Sequence, residues 1–160
     1  MAVWLLKTEP GEFSIDDLAE RGSDGEPWNG IRNYQARNFL REMQVGDLVL
    51  IYHSACATPG IVGLAEVIRD AYPDPDALNP ESRYFDPKSH ADNIRWSLID
   101  VRFLQKYSAP LSLKAIKAEP SLGEMKLVNS SRLSVSPVTE AEYQTLCSLL
   151  HVDAMGNALD

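Results

Sequence analysis

The chain has 160 residues, 44% of them hydrophobic and 24% charged. That is enough for one domain with a proper core, and it excludes a chain that is mostly disordered. Fifteen Lys and Arg against 23 Asp and Glu leave a formal net charge of −8, which argues against a protein that coats duplex phosphate through bulk charge.

In chain order, residues 3–7 read as a short apolar strand closed by Pro10-Gly11. Ser14 caps a short helix with Ile15 and Leu18 on one side, and Gly22 ends it. Residues 22–27 form a loop that delivers Trp28. Asn33 caps a second helix, whose Ala36, Phe39, Leu40 and Met43 fall at i, i+3, i+4 and i+7. A Gly46-Asp47 turn leads into residues 48–53, apolar on both faces and so a central strand. Residues 61–68 are another strand, where Gly63 marks a bulge or a close approach. Residues 72–89, with four prolines, read as an irregular excursion. A strand comes next, over 94–104. Ser112 opens a short helix, 133–136 form a brief strand, and Thr139-x-x-Glu142 is a capping box for a last helix. Residues 1–150 are expected to be one domain and 151–160 a frayed tail.

Charge is unevenly spread. Residues 1–26 hold two cations against seven acids, whereas 27–41 hold Arg32, Arg37 and Arg41 and no acid, and 83–106 hold five cations against three acids. An anionic ligand is expected near those two segments if they meet in space. Cys56 and Cys147 lie far apart without metal-ligand spacing, and the three histidines are scattered, so no metal or cofactor is expected. No apolar run approaches the ~20 residues of a membrane helix. The expectation is a soluble, cytoplasmic protein (nuclear in a eukaryote), acting as a monomer.

Motifs for α/β-hydrolases, P-loops and dinucleotide binding are absent. Cys56 and Ser54 are candidate nucleophiles with His53 as the nearby base, but adjacent strand residues point to opposite faces. That places His53 and Ser54 badly to act on each other; a protein-interaction patch on residues 72–89 is one alternative reading. Binding has more material. Trp4, Trp28 and Trp96 lie beside Lys7, Thr8, Asn33, Tyr34, Tyr52 and Ser54, groups that read the edges of a flat ligand stacked on an aromatic. Trp4 and Trp96 read as core. Trp28, in a loop between Pro27 and Asn29-Gly30, reads as a ligand contact that can be removed without harm to the fold. Tyr84-Phe85-Asp86-Pro87-Lys88 supplies two more aromatics and a cation.

The segments Lys7-Thr8-Glu9-Pro10, Trp28-Asn29-Gly30-Ile31-Arg32-Asn33-Tyr34-Gln35-Ala36-Arg37-Asn38 and Tyr52-His53-Ser54 resemble the EVE-domain family. So do Tyr84-Phe85-Asp86-Pro87-Lys88 and Ser131-Arg132-Leu133-Ser134-Val135. The resemblance implies an α+β, PUA-like fold: a small β-barrel of about five or six strands surrounded by short helices, related to PUA, ASCH and YTH domains. It also implies a nucleic-acid partner and a pocket for a modified nucleobase of single-stranded or flipped-out DNA or RNA, with no catalytic residues carried over; the relation to ASCH domains makes a small hydrolase or ribonuclease using Lys7 and His53 the alternative. On the matched positions, Trp28 is expected to give one face of the pocket and Tyr84 or Phe85 the other. Asn33, Ser54 and the backbone at Thr8 would read the base edge, with Lys7, Tyr34, Tyr52 and His53 completing the set. Arg32, Arg37 and Lys88 are expected to hold flanking phosphates.

Overall fold

The computed structural model describes residues 1–159. Six strands, β1 (Val3–Thr8), β2 (Glu26–Pro27), β3 (Leu48–His53), β4 (Gly60–Pro73), β5 (Ser97–Ser112) and β6 (Val135–Val138), form one sheet in the order β2-β5-β4-β3-β1-β6. β1 and β3 run parallel, and every other pairing is antiparallel. Five helices surround it: α1 (Ile15–Glu20), α2 (Tyr34–Glu42), α3 (Leu113–Lys117), α4 (Lys126–Asn129) and α5 (Glu140–Leu150). This is the α+β architecture the sequence predicts. The sheet is barrel-like but open: no pairing joins β2 to β6 among the described residues.

The two-residue period of the strands divides the interior into two cores. Trp4 and Leu6 of β1 and Val49 and Ile51 of β3 face a core shared with Ile15 and Leu18 of α1 and Ala36 and Leu40 of α2. Leu5, Leu48, Leu50 and Tyr52 face the opposite core, with Ile116, Leu127, Tyr143 and Leu146 from α3, α4 and α5. At six residues α1 would not persist alone in water. It is held by a complete Ser14–Asp17 capping box and by burial of Ile15 and Leu18, each contributing about 1.5–3 kcal/mol.

β4 and β5 are longer than the sequence predicts, because four shifts of register let them bend instead of ending. At one of these Gly63 brings the sheet against α1: a Cβ there would lie 2.6 Å from Ile15 Cδ1 and from the Gln105 carbonyl oxygen. The expected irregular excursion is accordingly shorter, since residues 72–73 belong to β4. The connection from Asp74 to Trp96 is held by two buried carboxylates. Asp74, fully buried, accepts from Arg32 Nη1 and from the Gly30 amide (both 3.0 Å), and caps the 3-10 turn Pro75–Leu78. Asp86 accepts from Arg95, Ser89 Oγ and Trp96 Nε1.

The frayed tail expected after Leu150 is instead packed. His151 takes a left-handed φ of 57° that caps α5, Val152 is buried in the second core, and Tyr143 Oη donates to the Ala154 carbonyl at 2.6 Å. Asp153 accepts from the Met155 and Asn157 amides and closes the turn. A short polar sequence conceals this order because only Val152 carries a side chain that enters the core.

Candidate nucleic-acid interface

The C-terminal end of β1, the β1–α1 connection, the Trp28–Ile31 turn, Arg83-Tyr84 and residues 131–134 enclose a cleft of about 700 Å³, within the range of small-ligand sites. Its aromatic lining is Phe13, Trp28 and Tyr84; its cations are Lys7, Arg21, Arg83 and Arg132, against Glu9, Glu12 and Glu26. A protein of net charge −8 thus opens a cleft with one more cation than acid.

Each wall has a local cause. Asp74 fixes the Trp28–Ile31 turn through the Gly30 amide, and Gly30 sits at φ +83° with the Tyr84 ring against it. A Cβ there would meet the ring at 2.5–2.8 Å, so glycine is required both by conformation and by space. Arg32 holds the other side of Tyr84 by donating Nε and Nη2 to its carbonyl oxygen at 3.0 and 2.8 Å. Thr8 Oγ1 donates to the Phe13 carbonyl at 2.7 Å, and Phe13 meets Trp28 edge-on at 5.9 Å. Lys7 Nζ donates to the Ser131 carbonyl at 2.7 Å and lies 5.6 Å from the centre of the Tyr52 ring. Burial lowers the Lys7 pKa from its ordinary value.

Trp28 differs from the other two tryptophans. Trp4 Nε1 donates to Asp47 at 3.0 Å and Trp96 Nε1 to Asp86 at 2.8 Å. Trp28 Nε1 donates to no described residue and is not sealed from solvent. The residue itself is only 8% exposed and belongs to the first core. This corrects the expectation of a loop tryptophan whose removal spares the fold. It also leaves little ring face for stacking: what Trp28 brings to the cleft lining is an indole N–H without a protein acceptor.

Of the predicted site residues, Lys7, Thr8, Trp28, Ser54 and Tyr84 meet at the cleft. Asn33 does not; it caps α2 by accepting from the Ala36 amide and lines a smaller neighbouring depression. Tyr34, half exposed, stacks on Trp96 at 4.9 Å away from the cleft. Tyr52 is buried in the second core. His53 Nε2 accepts from the Ile15 amide at 3.1 Å, and burial lowers its pKa. Phe85 and Lys88 are exposed on the loop outside the cleft lining. Arg32 and Arg37 are committed internally, Arg32 to Asp74 and Tyr84, Arg37 to the Arg95 carbonyl at 3.0 Å and to Asn38.

Sequence reasoning misses Phe13, Arg83 and Arg132. Phe13 precedes the helix cap, the place of a hydrophobic staple; Arg83 opens the basic segment 83–106, and Arg132 stands inside one of the resemblance segments. No nucleophile dyad assembles: Cys56 Sγ lies 3.8 Å from the His53 carbonyl oxygen, and the imidazole is spent on α1. Among the described residues no His, Cys, Asp and Glu cluster fits a metal, and no helix is long and apolar enough to cross a membrane.

A family model described as the EVE domain matches residues 2–149. Human "Thymocyte nuclear protein 1" is 37% identical over 163 residues, covering 91% of this chain and 72% of that protein. A Pseudomonas putida protein of known structure is 49% identical with a TM-score of 0.90, covering 93% of this chain and 99% of the other. Human THYN1, solved in complex with 5-methylcytosine-containing DNA, is 35% identical with a TM-score of 0.90, covering 96% and 99%. An ASCH protein from Zymomonas mobilis, 12% identical with a TM-score of 0.53, shares the fold alone. The chain belongs to the EVE-domain family.

Proposed function

We propose that this chain is a reader of modified bases in DNA, with 5-methylcytosine the first candidate. The base enters the Trp28 cleft from a single strand or flipped out of a duplex. The observation that carries the reading is the Trp28 indole N–H, a donor left without a protein partner inside a cleft walled by Phe13 and Tyr84. A donor at a cleft wall with no protein acceptor is available to a ligand's acceptor, and a base edge offers one. The aromatic walls supply apolar surface for a ring and its methyl group, and the Ser54 hydroxyl stands by as a second edge contact. The human relative solved with 5-methylcytosine-containing DNA shares this fold throughout. A reader of this kind works where DNA is, in the cytoplasm of a bacterium or the nucleus of a eukaryote, and one chain suffices to build the cleft.

The test uses tryptophan fluorescence. A single-stranded DNA oligomer with one 5-methylcytosine is expected to quench emission, and to bind more tightly than the same oligomer with cytosine. Trp28→Phe keeps an aromatic ring in the core and removes the donor. It is expected to lose that quenching and to weaken binding about threefold to tenfold, while Trp4 and Trp96 still emit. Equal affinity of the wild type for the two oligomers would overturn the reading.

A further inference from the structure

The cleft does not end at its own rim. A second, shallower depression of about 330 Å³ is lined by Asn33, Gln35, Ser130 and Leu133 together with Ser131 and Arg132, and those last two also line the cleft. Its character is different: amides and hydroxyls, no aromatic ring and no acid. It has nothing to stack a base on, but it has donors and acceptors to meet a base edge or sugar.

Arg132 stands on the ridge between the two. The cleft's other cations are engaged: Lys7 with the Ser131 carbonyl, Arg21 with Glu26, and Arg83 with Glu12 through two bonds of 2.8 and 3.1 Å. Arg132 is exposed and makes neither an ion pair nor a hydrogen bond to any described residue. An extended strand that places one nucleotide in the cleft and the next in the depression must carry its linking phosphate across that ridge. A free guanidinium is the side chain suited to meet it.

We infer, resting on the base-reading function proposed for the cleft, that the second depression is a neighbouring-nucleotide subsite. Arg132 binds the phosphate that joins the two nucleotides, and Gln35 and Asn33 contact the adjacent nucleotide. The protein then reads a modified base together with its neighbour on one side. Affinity through Arg132 is independent of sequence, whereas the amides make the neighbouring base matter.

The probe is a labelled single-stranded DNA oligomer of about 12 nucleotides with one central 5-methylcytosine, titrated between about 50 and 200 mM salt, with each flanking base varied in turn. Arg132→Gln is expected to weaken binding about tenfold at the low-salt end. It should reduce the slope of log K against log salt by about 0.7, one single-strand phosphate contact. The factor should be the same for 5-methylcytosine and cytosine oligomers, and Arg132→Lys should keep the slope. Lys88→Ala, outside both depressions, should change neither. Gln35→Ala should narrow the spread of affinities among the four bases at one flanking position and leave the other alone. An unchanged slope in Arg132→Gln, or an equal loss in Lys88→Ala, overturns the subsite. If the wild type keeps its preference for 5-methylcytosine in that case, the base-reading function stands without it. A wild type with no such preference overturns both.

Discussion

Three indole N–H groups meet two fates here, and the partner decides the role. Trp4 and Trp96 are anchored by the buried carboxylates of Asp47 and Asp86, which lets large amphipathic rings sit in the interior without an orphaned donor. Asp86 in turn is held well below the usual carboxylate range by the Arg95 guanidinium, then by Ser89, the Lys88 amide and Trp96. Its contribution to stability is therefore complete above its ordinary value of 3.8 and lost as pH falls toward the depressed one. His53 titrates earlier. Burial holds its pKa below the ordinary 6.5, with Asp16 raising and Lys106 lowering it. The unfolded chain therefore takes up a proton first as the solution is acidified. Stability from neutral His53 is full above pH 6.5 and falls away below it, because a protonated ring cannot accept from the Ile15 amide. His53→Gln keeps an acceptor without titrating. The gap in melting temperature between wild type and this variant is expected to narrow or reverse between about pH 7.5 and 5.5; a gap constant over that range would refute the coupling. Sequence alone marks His53, Trp28 and Lys7 as chemically interesting, but does not say which nitrogen faces what. That information lies in partners from 38 to 124 residues away.

Capping signals are local, and so they are legible in the sequence: Ser14, Asn33, Ser112 and Thr139 all cap the helices their spacing announces. The connection after β4 is not, because its order comes from Asp74 reaching Gly30 and Arg32, distant in sequence, and from Asp86 tying the irregular segment to its own end at Arg95 and Trp96. Asp74→Ala removes the acceptor for Gly30 and strands Arg32, whose side chain is only 21% exposed. A loss of about 3–5 kcal/mol is expected from chemical denaturation, and weakened oligomer binding with it, since the Trp28 turn loses its tether. Gly30 and Tyr84 make a sharper test of how the cleft wall is built. Gly30→Ala should cost about 1–3 kcal/mol, part of it from the clash with the ring and part from φ +83°. In a Tyr84→Ala background the clash is gone and only the backbone cost of about 1–2 kcal/mol remains. A double-mutant cycle showing strict additivity would mean that the ring does not press on the turn.

At the scale of the molecule, the α+β architecture and the family are within reach of the sequence, because strand and helix periods and the motif segments are all local signals. The packed C-terminus is not. Deleting residues 151–160 exposes the second core around Val152, removes the acceptor of Tyr143 Oη, and removes the Asn157 Oδ1 that accepts from Gln105 Nε2. The truncated chain is expected to melt at least about 4 °C lower, corresponding to a loss of about 2 kcal/mol at this size. An unchanged midpoint would restore the frayed tail. Its cleft, built at the other end of β1, should bind oligomers unchanged at temperatures where it stays folded.

β1 lies between β3 on one side and β6 on the other, its Val3 beside Val138. The first of the described strands is thus flanked by the last of them. Until residues 131–138 emerge from the ribosome, β1 has an open edge of unpaired amides and carbonyls, and the cleft lacks the wall that Ser131, Arg132 and Ser134 supply. A chain that stops before residue 131 lacks that wall and also the Leu133, Val135, Val138, Tyr143 and Leu146 side chains of the two cores. Sheet and cleft are thus completed by the same short segment, so a chain stopped short of it loses both at once.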